Sequence, residues 1–263
     1  MAACADPPVL WQACPVTALM GIAARLKLAR LIHILPDEPQ AAGPLARASY
    51  AGGADAVMLD EDLADVIADD TAAVGLDAIT EAARATQGLT AYFGRPVRAA
   101  ALSPDLFVLA DDEADPARTR LLVGEWTLIG RRCNSTEETE AALAHSDVDF
   151  LLVGPGLPLI RHAAQLAPQH DPKSKPWFAV GGITLDSLDA VIRGGAKRVA
   201  VGGAITRASN PEAAAMALKD RLREAWNDDD RMEAITASAF GTSPKLTLNP
   251  TAPKSAPRDD LHL

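Results

Sequence analysis

Two pairs of adjacent glycines, Gly181-Gly182 and Gly202-Gly203, are the residues of this sequence whose type and spacing best suit a chemical role. Each pair directly follows a short predicted strand, residues 177–180 or 198–201. Because glycine has no Cβ, the backbone N–H groups of such a pair can approach an anion closely. A short helix beginning near Ala204 would add the attraction of its N-terminal dipole. The two pairs therefore predict a phosphate-binding site for a small phosphorylated substrate.

Two groups of carboxylates could hold a metal ion. The first is the string Asp60-Glu61-Asp62, and the second contains Asp112 and Glu113 beside further aspartates. Mg²⁺ prefers oxygen ligands, so Asp60, Asp112 and Glu113 are candidate ligands if both groups face one opening. The alternative is that both groups are solvated loop tips, which is the usual role of a charge run.

The histidines and cysteines allow fewer roles. His162 is the only histidine expected near the same opening, where it could contact the substrate, whereas His33 is expected to be a core residue with one hydrogen bond. The cysteines, Cys4, Cys14 and Cys133, form no C-x-x-C pair, which favours reduced thiols of a cytoplasmic protein. We interpret Cys133 as a structural thiol.

The elements that must position these residues alternate between strand and helix. Continuously apolar runs, typical of strands buried on both faces, predict eight strands: Leu31–Leu35, Asp55–Leu59, Leu89–Phe93, Leu106–Leu109, Trp126–Gly130, Phe150–Val153, Trp177–Val180 and Arg198–Val201. Helical spacing follows each of them, over Pro44–Tyr50, Asp77–Gln87, Val97–Leu102, Pro116–Val123, Thr136–His145, Leu157–Leu166, Leu185–Arg193 and Pro211–Trp226. Eight such units predict a single (β/α)₈ TIM barrel, in which active sites form at the C-terminal ends of the strands.

A doubly wound open sheet is the structural alternative. It would need a glycine-rich turn after the first strand, but residues 36–39 read PDEP and contain no glycine. We therefore divide the chain into an N-terminal extension over 1–29, the barrel over 30–227 and a flexible tail over 228–263. The tail assignment depends on the residues from 241 onward, which are rich in Pro, Ser and Thr.

The overall composition excludes several partners. The formal net charge is -10 and no basic cluster is present, so nucleic acid is not an expected partner. No apolar run reaches the roughly 18–20 residues of a membrane helix, so no membrane partner is expected. The first fifteen residues have no positive charge ahead of their apolar residues, unlike a secretory signal. We expect a cytoplasmic protein, and the sequence leaves a homodimer open.

The last quarter of the sequence carries a pattern known from one family. Residues 179–205 read AVGGITLDSLDAVIRGGAKRVAVGGAI. This segment resembles the C-terminal part of thiamine-phosphate synthases, and residues 50–62, 92–116 and 129–158 are similar to earlier strands of that family. The resemblance implies a barrel that joins a hydroxymethylpyrimidine diphosphate to a thiazole phosphate, releases pyrophosphate and uses Mg²⁺.

The diphosphate half of the family's site is altered in this sequence. Where the family has Gln-x-Arg-x-Lys after strand two, this chain has Met58, Asp60 and Asp62. Phe93-Gly94 stands in place of an Asn-Asp pair, with Arg95 beside it. Replacing cations by anions beside a diphosphate converts attraction into repulsion.

The later loops differ in the same way. After strand four the family's carboxylate corresponds to Glu113, or to Asp111 or Asp112. After strand six the positions of Thr-x-Thr-Lys hold Leu159, Arg161 and His162. A second branch of the family isomerises a thiazole phosphate with a histidine after strand five, where this chain has Asn134, an amide that cannot transfer a proton near neutral pH. Positive charge could instead come from Arg95, Arg131, Arg132 and Arg161.

Three functional hypotheses follow. The first is a divergent thiamine-phosphate synthase that binds a thiazole phosphate at the glycine pairs, with Arg95, Arg161 and His162 as candidate catalytic residues. The second is a catalytically inactive phosphate-binding barrel with a binding or regulatory role. The third is another isomerase or aldolase of the phosphate-binding barrels, although no lysine ends a strand to form a Schiff base.

Overall fold

The chain forms a closed barrel of eight parallel strands in a computed structural model that describes residues 21–36, 38–61, 69–109 and 115–240. The strands follow one another in chain order, and the first pairs with the last. They are β1 (Leu31–Pro36), β2 (Ala56–Asp60), β3 (Leu89–Gly94), β4 (Leu106–Leu109), β5 (Leu128–Cys133), β6 (Phe150–Val153), β7 (Trp177–Val180) and β8 (Val199–Val201). The predicted (β/α)₈ barrel is confirmed.

Helices surround the barrel and also precede and follow it. They are α1 (Ile22–Leu28), α2 (Pro39–Ala51), α3 (Asp69–Arg84), α4 (Pro96–Leu102), α5 (Pro116–Val123), α6 (Thr136–Ala144), α7 (Leu157–Leu166), α8 (Leu185–Arg193), α9 (Gly203–Thr206), α10 (Pro211–Asn227) and α11 (Glu233–Ala239). None of these described helices is both long and apolar enough to cross a membrane.

Local sequence signals explain where several helices begin. The Ser135 hydroxyl accepts a hydrogen bond from the Glu138 N–H at 3.1 Å, which caps α6. The Asn210 side chain accepts one from the Ala213 N–H at 3.0 Å, and Pro211 is the first residue of α10. These side chains satisfy backbone donors that have no partner inside the helix.

The strand pleat sends successive side chains to opposite sides of the barrel wall. Ile32, Ala56, Met58, Phe150 and Phe178 belong to one buried cluster inside the barrel. Side chains at alternate positions pack instead beneath the helices, in two larger apolar clusters. This alternation decides which residues at the end of each strand can reach a ligand.

The N-terminal end of the barrel is closed by α1 and a cation stack. Leu26 and Ala29 are buried in the same cluster as the inward side chains of the strands. The guanidinium carbons of Arg30 and Arg198 lie 4.6 and 5.0 Å from the centroid of the Trp226 ring. Together they join the floor of the barrel to α10.

The fifth strand lies later in the chain than the predicted Trp126–Gly130. It begins at Leu128 and continues through Arg131 and Arg132. Trp126 is 84% exposed and lies in the preceding turn, so its strand propensity is misleading. Arg132 can belong to the strand because its side chain reaches the barrel mouth, where it lines the cavity.

Both terminal segments contain helices that the proposed division of the chain did not include. Helix α1 falls within the predicted extension 1–29, and α11 falls within the predicted flexible tail 228–263. Met232 and Ile235 are buried with Trp226, which explains why α11 stays against the barrel. Within α11 itself Ile235 is the one buried side chain, so its helical pattern is weak beside the charged residues 228–231.

Candidate functional site

A cavity of about 360 Å³ occupies the barrel mouth at the C-terminal ends of the strands. Both glycine pairs line it, so the structure brings together the two motifs that the sequence singled out. Its wall also includes apolar side chains from five strands, Ile34, Met58, Phe93, Leu152 and Val180. The cavity therefore combines a backbone-lined polar side with an apolar surface, a composition typical of small-molecule sites.

The first pair needs glycine for backbone reasons. Gly181 and Gly182 have φ angles of +108° and +64°, a region that costs other L-residues about 1–2 kcal/mol. A Cβ on Gly181 would also lie 2.7 Å from the Cβ of Pro155. A Cβ on Gly182 would meet no atom within 4 Å, because that position faces open space at the cavity.

The second pair begins the short helix α9. A Cβ on Gly202 would lie 3.4 Å from the carbonyl oxygen of Ile34, so this glycine packs closely on β1. The Arg207 guanidinium lies directly over Gly203, where a side chain would otherwise stand. Ile205 is fully buried and fixes the helix to the core.

Two arginines line the cavity among the described residues, Arg132 from β5 and Arg207 after α9. Arg132 is one of the four cations that the sequence suggests. Arg207 is not among those four, although its distance in sequence from Gly203 could have predicted its position. A residue four positions after Gly203 returns to the same side of a single helical turn, so an arginine there faces the glycine pair.

The acidic string after β2 divides between two environments. Asp60 lines the cavity, whereas Glu61 is buried and accepts hydrogen bonds from the Tyr92 hydroxyl and the Arg98 guanidinium. Burial and the bond to Glu61 raise the pKa of Tyr92. The pleat explains this division, since adjacent residues point to opposite sides of the wall.

The candidate metal ligands divide between described and undescribed parts of the chain. Asp62, Asp112 and Glu113 lie outside the described residues, as does Asp111. Within the described ranges no three His, Cys, Asp or Glu side chains come together as a metal site. Asp60 is thus the one metal candidate that can be placed, and it lies at the cavity wall.

Arg161 and His162 line a different groove, between α6 and α7, together with Asn134. His162 Nε2 lies 3.0 Å from Glu140 Oε1, and Leu159 is buried under α7. The positions that the resemblance associates with Thr-x-Thr-Lys are thus part of a regular helix. Neither Arg161 nor His162 lines the mouth cavity.

Arg95 and Cys133 also lie away from the cavity lining. Arg95 is exposed and precedes the first residue of α4. Cys133 is fully buried, with its Sγ 3.7 Å from the carbonyl oxygen of Glu138. This environment agrees with its interpretation as a structural thiol.

His33 is buried on the helix side of β1 and makes two hydrogen bonds, one more than expected. Its Nδ1 lies 2.6 Å from Ser49 Oγ, and its Nε2 lies 2.9 Å from Thr206 Oγ1 at the end of α9. Burial lowers the pKa of His33 from 6.5 to about 4. The imidazole is therefore neutral at ordinary pH.

Comparison with known proteins identifies relatives across most of the chain. Residues 44–205 match the family described as thiamine monophosphate synthase. The chain is 36% identical over 214 residues to a thiamine-phosphate synthase of Thermobifida fusca, covering 75% of this chain and 94% of that protein. It is 32% identical over 220 residues to the thiamine-phosphate synthase of Saccharopolyspora erythraea, covering 77% and 96%.

A solved structure supports the fold. A thiamine phosphate pyrophosphorylase from Pyrococcus furiosus superposes with a TM-score of 0.66 at 21% identity, covering 76% of this chain and 98% of that one. The family match runs from α2 to α9 and so contains both glycine pairs and seven of the eight strands. The chain belongs to the thiamine monophosphate synthase family, whose place is in thiamin biosynthesis.

Proposed function

We propose that this protein binds a thiazole phosphate in the mouth cavity, with the phosphate held by Gly181-Gly182, Gly202-Gly203 and Arg207. The observation that supports this most is the meeting of both glycine pairs and one guanidinium on a single cavity. Backbone N–H groups and an arginine are the donors that phosphate oxygens accept best.

The opposite side of the cavity suits the ring. Its apolar residues, which include Met58, Phe93 and Leu152, offer a dry surface to a small aromatic heterocycle. The cavity volume of about 360 Å³ lies at the lower end of the range for small-molecule sites. A phosphorylated monocycle therefore fits both the polarity and the size of the cavity.

Coupling to a hydroxymethylpyrimidine diphosphate needs more positive charge at the cavity than binding of the thiazole phosphate does. A leaving pyrophosphate needs cations, and of the described residues only Arg132 and Arg207 bring positive charge to the cavity lining. Mg²⁺ would add charge there if Asp60, Asp112 and Glu113 held it together.

The second candidate function is a phosphate-binding barrel without the coupling reaction. It is favoured by Asp60 at the cavity and by the placement of Arg161 and His162 in another groove. Under this proposal the protein holds the thiazole phosphate and acts in thiamin metabolism by binding or regulation.

Calorimetric titration tests the binding shared by both functions. We expect the thiazole phosphate to bind at least about tenfold more tightly than the corresponding thiazole alcohol, since the alcohol lacks the charged group. Equal affinities would contradict a phosphate site at the glycine pairs.

Two further measurements separate the coupling enzyme from the inactive barrel. One is pyrophosphate release with both substrates and Mg²⁺, and the other is growth without thiamin of a strain that lacks the synthase. Release together with growth would establish coupling. Failure of both by well-expressed protein that still binds the thiazole phosphate would establish the second function.

A further inference from the structure

We infer that His33 is a positioning residue that holds the α9 end of the phosphate site through Thr206; this inference rests on the proposed thiazole-phosphate site. His33 lies outside the cavity lining, and neither the family pattern nor the glycine motifs point to it. Its two ring nitrogens join three separate elements, β1, α2 and α9.

The hydrogen bonds around His33 have a single direction. The Ser49 hydroxyl donates to the carbonyl oxygen of Leu45 at 2.7 Å. Its oxygen is therefore left to accept from His33 Nδ1–H, so the ring carries its proton on Nδ1 and accepts at Nε2. The donor to Nε2 is then the Thr206 hydroxyl, 2.9 Å away.

The relay runs from Thr206 through His33 and Ser49 to the backbone of α2. Both His33 and Ser49 are fully buried, so water does not compete for these bonds. Because burial keeps His33 neutral, its Nε2 remains an acceptor over the ordinary pH range. A neutral buried chain with every partner in place is rigid, whereas removal of one member leaves a buried polar atom unsatisfied.

The element held by this relay is the one that carries the second glycine pair. Helix α9 has four residues, and its first backbone bonds return to the Gly202 carbonyl oxygen from Ile205 N–H at 3.0 Å and Thr206 N–H at 3.2 Å. The relay fixes its last residue, and the buried Ile205 side chain fixes its middle. Arg207 follows directly, so the position of Thr206 also sets where the guanidinium starts.

The substitution that isolates this role is Thr206→Val, which keeps the shape of the side chain and removes the hydroxyl. Thr206→Ser is the rescue variant, because it restores a donor at the same position. Thr139→Val is the matched control, since Thr139 is buried in α6 and its hydroxyl donates to Ser135 O at 2.8 Å, away from the cavity. All three are compared in the full-length chain.

We expect Thr206→Val to weaken binding of the thiazole phosphate by roughly three- to tenfold, the equivalent of one hydrogen bond. Binding of the thiazole alcohol should stay unchanged, because the loss concerns the phosphate end alone. Thr206→Ser should stay within about twofold of the unmodified protein, and Thr139→Val should lower thermal stability with no change in affinity. A Thr206→Val protein that binds the phosphate as tightly as the unmodified chain would overturn the inference.

Hydrogen exchange in the free protein tests whether His33 and Thr206 hold α9 in place, and it needs no ligand. Thr206→Val should accelerate exchange of the amides of residues 203–207, whereas Thr139→Val should not. If the unmodified chain fails to bind any phosphorylated thiazole, the proposed function is wrong and the role in ligand positioning is lost with it. Faster exchange in Thr206→Val would still establish that the hydrogen bond between His33 and Thr206 holds α9 in place, which we call the clamp on α9. Unchanged exchange at these amides would refute the clamp itself.

Discussion

The two halves of the barrel mouth are built from different parts of the chain. At β7 and β8 the cavity is lined by glycine backbone, with Arg207 lying over one glycine. At β2 and β3 it is lined by side chains, Met58, Asp60 and Phe93. The shape of the first half depends on the φ angles of the glycine backbone. The shape of the second half depends on side chains that project from the ends of regular strands.

This difference explains where the chain keeps and where it loses the family pattern. A backbone surface fails when a Cβ is added, as at Gly181, where it would meet Pro155. A side chain at the end of a strand can change without disturbing the wall beneath it. The resemblance is accordingly close at the glycines, whereas Asp60 stands where the family pattern has a cation.

Buried polar groups support each half, and they differ in charge. Beside β2 and β3, Glu61 is held by Tyr92 and Arg98. Beside β8, the relay through His33 is neutral. Three experiments test this difference between the two halves of the mouth.

The largest effect that we expect is a loss of folding stability at acidic pH, caused by protonation of His33. Its pKa is 6.5 in the unfolded chain and about 4 in the folded one, so between these values only the unfolded chain takes up the proton. The free energy of unfolding should therefore fall as the pH drops below 6.5, and this contribution should reach roughly 3 kcal/mol below pH 4.

Urea unfolding between pH 7 and 4 measures this loss of stability. In His33→Leu the free energy of unfolding should depend less on pH, because the contribution of His33 is absent. The ring can also be followed directly by NMR. A His33 resonance that titrates near pH 6.5 in the folded protein would show that the relay is open to water.

The next effect concerns Gly182→Ala. The φ of +64° penalises alanine, and the new methyl group would occupy open space at a residue that lines the cavity where the phosphate is proposed to bind. We expect a loss of thiazole-phosphate affinity of about thirtyfold, from strain and lost space together.

Gly124→Ala provides the control for strain alone. Gly124 has a φ of +77°, its added methyl group would likewise meet no atom within 4 Å, and it lies outside the cavity. Both variants should lose stability, as read from thermal unfolding. Equal affinity in the two variants would show that the ligand does not contact Gly182.

The smallest effect is expected for Arg207→Gln. The guanidinium is exposed, so solvent screens its contribution, and we expect a five- to tenfold loss of affinity, roughly 1 kcal/mol, that shrinks further in high salt. Arg161→Gln is the matched control, because that exposed arginine lines the other groove. If Arg161→Gln weakens binding and Arg207→Gln does not, the phosphate lies between α6 and α7.

The sequence predicts the barrel well because most strands are largely apolar runs that alternate with segments of helical spacing. Phe150–Val153 and Trp177–Val180 have the predicted bounds. The glycine pairs were predictable for the same reason, since they directly follow two such runs. Once the strands form a parallel barrel, their C-terminal ends must meet at one opening.

The residues that escaped prediction are those whose position depends on small geometric details. Arg207 reaches the cavity only because α9 is a single turn, which brings it back over Gly203. Arg161 and His162 follow a strand, yet α7 begins at Leu157 and carries them to the outer groove. His33 shows a third limit, because its partners Ser49 and Thr206 are 16 and 173 residues away in the chain.

The closed N-terminal end of the barrel restricts how ligands enter and leave the cavity. Helix α1 packs across the N-terminal end, and the guanidinium groups of Arg30 and Arg198 lie over the Trp226 ring. In the described part of the chain the cavity therefore opens at the C-terminal mouth. Any molecule that arrives there must depart by the same route. If two substrates react in this cavity, the deeper one has to enter first, and whatever forms over it has to leave before it can be replaced.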